Sequence, residues 1–163
     1  MALSKIPRDM NIDPGTVVQS AVWRISPISK STSGSWAVST TPTIANTYTV
    51  EQYTFTKKYS NSSVVLQASG HVDMSDAGSG RPSIVCLHLT SPETLIASGY
   101  RHMRYNNDEP FVYTFAGEDT TTGLSKTYRL GCHSSGGPFF FSRTASGTFS
   151  NVPFTITLME IAS

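Results

Sequence analysis

Phe154-Thr155-Ile156-Thr157-Leu158-Met159-Glu160-Ile161 is the stretch of the chain that decides the fold class. Its first, third and fifth residues are large and apolar and alternate with threonines, a period of two that places one face of a β-strand in a core. Met159 and Ile161 have the opposite parity, so the far end of the strand is predicted to be apolar on both faces or bulged. We therefore predict a central strand of a β-sandwich whose second face contacts another subunit.

The same alternation recurs upstream of this strand, most clearly in residues 63–73. Clusters of Gly, Ser, Asn, Asp and Pro separate the alternating runs at spacings typical of sandwiches and barrels. The predicted strands are residues 16–24, 36–39, 47–56, 63–73, 83–89, 94–100, 111–115, 125–132, 139–144 and 152–161. Together they predict an all-β, jelly-roll-like antiparallel β-sandwich of about ten strands over residues 16–163, preceded by a short extended N-terminal arm, residues 1–15.

The charge balance and hydropathy of the chain limit the classes of partner that it is expected to bind. Charged residues make up only 14% of the chain, and 12 Lys and Arg balance 11 Asp and Glu. A near-neutral chain of this kind does not favour nucleic acid or an anionic membrane as its main partner. No run approaches the roughly 20 apolar residues that cross a bilayer, and residues 1–11 lack the apolar core of a signal peptide. We expect no membrane insertion and synthesis in a cytoplasm.

Catalytic chemistry is not indicated by any local motif. A nucleophile elbow is missing, and adjacent strand residues such as Cys132 and His133 point to opposite faces, so they cannot pair as nucleophile and base. The predicted protein is therefore not an enzyme and has no cofactor. The histidines are scattered over separate segments, which favours structural or surface roles over a metal site built from two of them: His71, His88, His102 and His133.

Two further patterns have simple structural interpretations. Cys86 and Cys132 lie in strand-like runs without metal-site spacing, which predicts a buried thiol pair. Residues 73–84 resemble the start of a calcium loop, but Ile84 occupies the twelfth position, where such a loop needs a carboxylate. A solvated turn is the better prediction.

Three groups of residues are candidates for contacts with partners. In the arm, proline discourages a helix, and spaced apolar and cationic side chains can anchor on a partner: Lys5, Ile6, Arg8, Met10 and Ile12. A polar loop mixes cations, an aromatic ring and amides that suit sugar hydroxyls or a protein rim, although an ordinary exposed loop explains it equally well: Arg101, Arg104, Tyr105, Asn106, Asn107 and Asp108. The apolar run 139–141 cannot lie on one face of a strand, and two apolar residues near the end of the last strand have the parity opposite to its core residues. The outward-facing members are therefore predicted to lie at a trimer interface: Phe140, Met159 and Ile161.

Four segments carry a family resemblance. They are Ala2-Leu3-Ser4-Lys5-Ile6 with Pro14-Gly15-Thr16-Val17-Val18-Gln19-Ser20; Tyr53-Thr54-Phe55-Thr56 with Ser63-Val64-Val65-Leu66-Gln67; Leu95-Ile96-Ala97-Ser98-Gly99-Tyr100-Arg101; and Ile156-Thr157-Leu158-Met159-Glu160-Ile161-Ala162. In this order the chain resembles a family of small β domains in virion proteins of tailed bacteriophages, most often at the C-terminal tips of tail fibres. The resemblance implies a jelly-roll-like homotrimer without enzymatic activity, and it transfers no receptor-binding residues.

The chain departs from that family because nothing in it forms a fibre shaft or a coiled coil. Fully extended, the arm reaches at most about 50 Å, enough to latch a trimer onto a neighbouring shell protein. The expected function is therefore that of a trimeric capsid decoration (cement) protein bound to the major capsid protein, on the virion surface after assembly in the host cytoplasm. The alternative is a tail-fibre or tail-tip subunit that contacts other tail components and binds a host surface glycan or protein.

Overall fold

Ten β-strands and no helix occur in the residues that the computed structural model describes, which are 13–32, 40–74, 81–103, 111–134, 138–142 and 153–163. None of these residues belongs to a helix that could cross a membrane. The strands are β1 (Val17–Arg24), β2 (Ile28–Lys30), β3 (Tyr48–Thr56), β4 (Ser63–Met74), β5 (Arg81–Thr90), β6 (Glu93–Met103), β7 (Phe111–Asp119), β8 (Ser125–Ser134), β9 (Phe139–Phe141) and β10 (Thr155–Ile161).

The strands form two antiparallel sheets. In sheet A, β10 pairs with β1 and β4, β7 pairs with the other edge of β4, and the short β9 and β2 extend the sheet past the end of β10. In sheet B the order is β3-β8-β5-β6. The eight long strands thus form the facing four-stranded sets β1-β10-β4-β7 and β3-β8-β5-β6, which is the strand order of a jelly roll. The predicted jelly-roll-like sandwich is confirmed.

Strand β10 lies in the middle of sheet A, as its alternation predicted. Leu158 pairs with Ala21 of β1 on one side and with Leu66 of β4 on the other. Leu158 is fully buried, as are Phe154 and Ile156 before it. The pairing of β10 is regular, and the irregularity falls instead on β1, between Val17 and Gln19. The two apolar residues of opposite parity, Met159 and Ile161, therefore point away from the core without a bulge in their own strand.

The core lies between the two sheets and is rich in aromatic rings. Phe141 contacts Phe154 edge to face at 5.5 Å, and Trp23 of β1 stacks on Tyr53 of β3 at 5.6 Å. Each large side chain buried here stabilises the fold by about 1.5–3 kcal/mol relative to an exposed position. The stack between Trp23 and Tyr53 lies where the first strands of the two sheets meet, so it closes that side of the sandwich.

Some strands differ in extent from the prediction. The sequence does not predict β2, because three residues after Pro27 are too few to show alternation; among the described residues it pairs with β9 alone. β7 continues to Asp119, four residues beyond the predicted end, and β9 ends at Phe141. The predicted strand at residues 36–39 lies outside the described residues, as do residues 75–80 of the predicted turn and residues 1–12 of the arm. Just after those arm residues, Gly15 N–H donates to the Ala162 carbonyl at 2.8 Å, which ties the start of the sandwich to its last strand.

Candidate functional site

The outward side of sheet A is the most open regular surface among the described residues. We call the outward-facing positions of β1, β10, β4 and β7 the open face. Val22 of β1 and Val112 of β7 are each 54% exposed there. Most of the other positions are Ser, Thr, Gln, Ala, Val or Met. The three central rows of this face carry two formal charges, Arg24 and Glu118, while the titratable His71 and the buried Asp73 lie farther along β4.

The register of sheet A arranges the open face in straight rows across four strands. One row contains Ser20, Met159, Val65 and Glu118. The next contains Val22, Thr157, Gln67 and Ala116. The third contains Arg24, Thr155, Ser69 and Thr114, in which the hydroxyls of Ser69 and Thr114 lie 3.3 Å apart. The result is a plate with an uncharged centre and one charge at each of two diagonal corners.

All three predicted interface residues face outward from sheet A. Met159 and Ile161 lie on the open face, and Phe140 points outward from β9, where it pairs with Asp73. Val65, which pairs with Met159, precedes Asp73 by eight residues along β4, so Phe140 lies about 27 Å from Met159. The structure thus brings Met159 and Ile161 together and leaves Phe140 apart from them. Their role in a trimer stays a prediction.

The other predicted contact residues are not described. The arm candidates lie within residues 1–12 and most of the loop candidates within residues 104–110: Lys5, Ile6, Arg8, Met10, Ile12, Arg104, Tyr105, Asn106, Asn107 and Asp108. The loop prediction is wrong for Arg101, because β6 continues to Met103 and the Arg101 backbone pairs with Ser83 of β5; its side chain is likewise not described. The segment of residues 104–110 joins β6 of sheet B to β7 of sheet A.

The outward side of sheet B differs from the open face because residues 40–49 bind across it. Arg129 of β8 donates to the Thr47 hydroxyl at 2.8 Å and to the Thr49 hydroxyl at 2.7 Å, and it is 2% exposed. His88 of β5 contacts the Pro42 carbonyl through Nε2 at 3.1 Å. Burial lowers the pKa of His88, so it is a neutral structural histidine. This face is occupied by the chain itself.

The thiols and the Cys132-His133 pair follow their predictions. Cys86 and Cys132 are both free and buried. Cys132 packs in the core, whereas His133 lies on the outward side with its ring 5.5 Å from that of Tyr48. Within the described ranges, no three His, Cys, Asp or Glu side chains are grouped as a metal site would require.

Glu160 is a structural carboxylate that the sequence did not single out. It continues the inward parity of β10 and is fully buried. It accepts hydrogen bonds from the Tyr59 N–H at 2.9 Å, the Ser62 hydroxyl at 2.6 Å, the Gln19 amide at 2.7 Å and the Lys58 N–H at 2.8 Å. Burial acts to raise its pKa, but these hydrogen bonds outweigh burial and hold the pKa below its usual value. The carboxylate fixes the β3–β4 turn, residues 57–62, against β1 and β10.

A second buried polar cluster joins that turn to the β7–β8 turn, residues 120–124. Lys57 donates to the carbonyls of Ser62 and of Thr121 in the opposite turn, and the second bond is 3.3 Å long. Burial and the nearby Lys126 lower the pKa of Lys57. Asp119 accepts from the Tyr128 hydroxyl at 2.9 Å, and burial together with Asp119 raises the pKa of that phenol. These groups are occupied in holding turns together.

Comparison with known proteins yields structural likeness only. No family model matches the chain, and the sequence of no curated protein does either. A chain of infectious bursal disease virus, Gx strain, aligns with a TM-score of 0.46 at 10% identity over 98% of this chain and 37% of its own. A mutant VP2 protein from T=1 particles of the same virus gives 0.40 at 12% identity, covering 100% of this chain and 41% of its own. The EclA C-terminal domain, a sugar-binding protein, gives 0.36 at 10% identity, covering 93% and 84%.

This chain therefore spans well under half the length of the viral proteins that it resembles. With TM-scores below 0.5, these likenesses decide neither a family nor a function.

Proposed function

We propose that this protein is a non-enzymatic structural protein of a bacteriophage virion, a homotrimeric capsid decoration protein latched to the shell by its N-terminal arm. The observation that carries the proposal is the open face of sheet A, a regular plate with an uncharged centre on which Val22 is 54% exposed. Exposed sheet surface of this kind is suited to protein–protein contact. The resemblance of four sequence segments to virion proteins of tailed phages supplies the biological setting.

The polar groups with shifted pKa values support a structural role. Enzyme sites usually place such groups in a pocket where they can reach a substrate. Here the hydrogen-bond partners of these groups belong to the protein's own turns and strands, as for Glu160, Lys57 and Tyr128. They close one end of the sandwich, which favours a rigid module that other proteins bind as a unit.

The arm provides the decisive test. A variant lacking residues 2–12 keeps the turn at Gly15, which is hydrogen-bonded to Ala162. We expect it to remain a folded trimer by light scattering and to lose binding to undecorated capsids in a co-sedimentation assay. The matched control keeps the arm and carries Gln52→Lys on the outward side of sheet B, where no effect is expected. Capsid binding that survives removal of the arm would refute the latch.

The second candidate function is adhesion at the tail tip, through the segment of residues 104–110. It is favoured by one observation: Tyr100, which is 40% exposed, lies on β6 four residues before that segment begins. Cryo-electron microscopy of purified virions separates the two candidates. Many copies over the shell are expected for a decoration protein, and a few copies confined to the tail would favour adhesion instead.

A further inference from the structure

The charges of the open face are placed so that the face complements a copy of itself. Arg24 lies on β1 at one corner, and Glu118 lies on β7 at the diagonally opposite corner. Neither side chain forms a hydrogen bond or an ion pair within the described part of the chain. We propose that the open face docks on the open face of a second copy across a two-fold axis, so that Arg24 of each copy meets Glu118 of the other.

The register fixes the geometry of this contact. Three strand spacings and four residues along the strand separate the two corners, about 14 Å in each direction. The line that joins the two corners therefore runs at about 45° to the strands. A two-fold axis in the plane of the contact must be perpendicular to this line in order to exchange its two ends, so the axis also runs at about 45° to the strands. The strands of the two copies then cross at about 90°. Orthogonal crossing is one of the two ways in which β-sheets pack face to face. The pairing of charges and the rules of sheet packing thus agree.

The same axis matches the apolar residues. The axis passes through the midpoint of the contact, which lies between Thr157 of β10 and Gln67 of β4. This arrangement places Val22 of one copy over Met159 and Val65 of the other. Val22 is the most exposed large apolar side chain in the three rows, and the contact would remove it from water. The hydroxyl and amide groups near the axis can pair with each other or with bridging water, as is usual in protein interfaces.

The size of the open face predicts a weak association. Four strands of about seven residues present roughly 500 Å² per copy, or about 1,000 Å² in total, the lower limit for a specific interface. We expect dissociation in the micromolar range and a dependence on salt, because the two ion pairs lie at the rim. The outward side of sheet B is the less suitable surface, since Arg129 and His88 already bind residues 40–49 there.

The proposal uses the open face on which the proposed function also rests, but it predicts a different symmetry for the contact. A three-fold contact joins two different patches, whereas this contact joins a patch to itself. It therefore produces an even number of copies: a dimer of single chains or, where a trimer forms without Met159, a hexamer of two trimers.

Charge exchange tests the contact. In sedimentation equilibrium of the full chain at low salt, we expect Arg24→Glu and Glu118→Arg each to raise the dissociation constant by about tenfold, because like charges then face each other twice. The double variant Arg24→Glu/Glu118→Arg is expected to return within about threefold of the original value, since both pairs re-form with exchanged signs. Gln52→Lys on sheet B serves as the control for added charge and should have no effect. A double variant as weak as the single ones, or an original protein without even-numbered association, would overturn the proposal.

A cross-link gives an independent readout that needs no charge change. Ser20 lies at a corner through which the proposed axis passes, so Ser20→Cys faces its own copy. A short bismaleimide should join two such chains, and Gln52→Cys should remain uncoupled at the same concentration. Equal yields for the two variants would contradict the geometry, while melting curves followed by circular dichroism verify that each variant is folded.

Discussion

At the scale of single residues, the most consequential group is the carboxylate of Glu160. Four donors from two segments, strand β1 and the turn at residues 57–62, converge on a side chain with no exposure to water. Two of these donors are backbone N–H groups of a turn, which would otherwise be buried without acceptors. One side chain in the last strand therefore shapes a turn about 100 residues earlier in the chain.

Replacing Glu160 by Gln tests this assignment. The NH2 group of the new glutamine would face the hydrogen-bond donors of the site, where the carboxylate oxygen accepted from them. We therefore expect the free energy of unfolding in urea to fall by about 3 kcal/mol. Glu51→Gln is the control, because Glu51 forms no hydrogen bond within the described residues, and its effect should stay within about 0.5 kcal/mol. Equal effects of the two substitutions would show that the convergence of donors on Glu160 does not stabilise the fold.

The same carboxylate predicts a dependence on pH. Its pKa in the folded protein lies below the value of 4.5 for a free side chain. The ionised form therefore stabilises the fold fully above about pH 4.5, and that stabilisation is lost as the pH falls through the lower, folded pKa. Urea titrations at a series of pH values should show less loss of stability below about pH 4.5 in Glu160→Gln than in the original protein. An unchanged acid slope would argue against a lowered pKa.

At the scale of elements, the approach of β6 to β7 closes one side of the sandwich. A Cβ atom on Gly117 of β7 would lie 2.1 Å from the backbone oxygen of Ile96 in β6. Gly99 of β6 faces the rings of Tyr113 and Phe115 in a similar way. Glycine is required at these positions for space rather than for backbone conformation, because two strands of different sheets meet there.

Gly117→Ala is expected to destabilise the protein by about 3 kcal/mol, since the atom that must give way belongs to a strand backbone. Thermal and urea unfolding measure the change. The adjacent Ala116→Ser, which adds one atom on the open face, is the control and should leave the unfolding midpoint nearly unchanged. If Gly117→Ala were as stable as that control, the two strands would be farther apart than the structure places them.

At the scale of the whole molecule, the folded sandwich shields both cysteine thiols from solvent. Burial raises the pKa of Cys86 to about 12, with Arg129 opposing the effect, and burial also raises the pKa of Cys132. One thiol lies on each side of sheet B, beneath residues 40–49 and within the core respectively. Neither can form a reactive thiolate near neutral pH without opening of the fold.

Labelling with Ellman's reagent tests this closure. We expect both thiols to remain unreactive in native buffer and to react completely in denaturant, with labelling rates that follow global unfolding. Gly117→Ala should accelerate labelling by about tenfold for each 1.4 kcal/mol of unfolding free energy that it removes. Rapid reaction of one thiol in the native protein would reveal a local opening on its side of sheet B.

The sequence by itself determined the all-β class, most strand positions and the central place of β10, because alternation along a strand is a local property that burial on one face imposes. It also indicated the buried thiols and the outward parity of Met159 and Ile161. Only the tertiary structure showed that Glu160 accepts hydrogen bonds from the turn at residues 57–62, that Lys57 donates to the opposite turn and that Gly117 packs against Ile96. These contacts join residues far apart in the chain, so local alternation does not predict them. The diagonal placement of Arg24 and Glu118 was also decided at that level: it depends on strand order and register, which alternation within each strand does not specify.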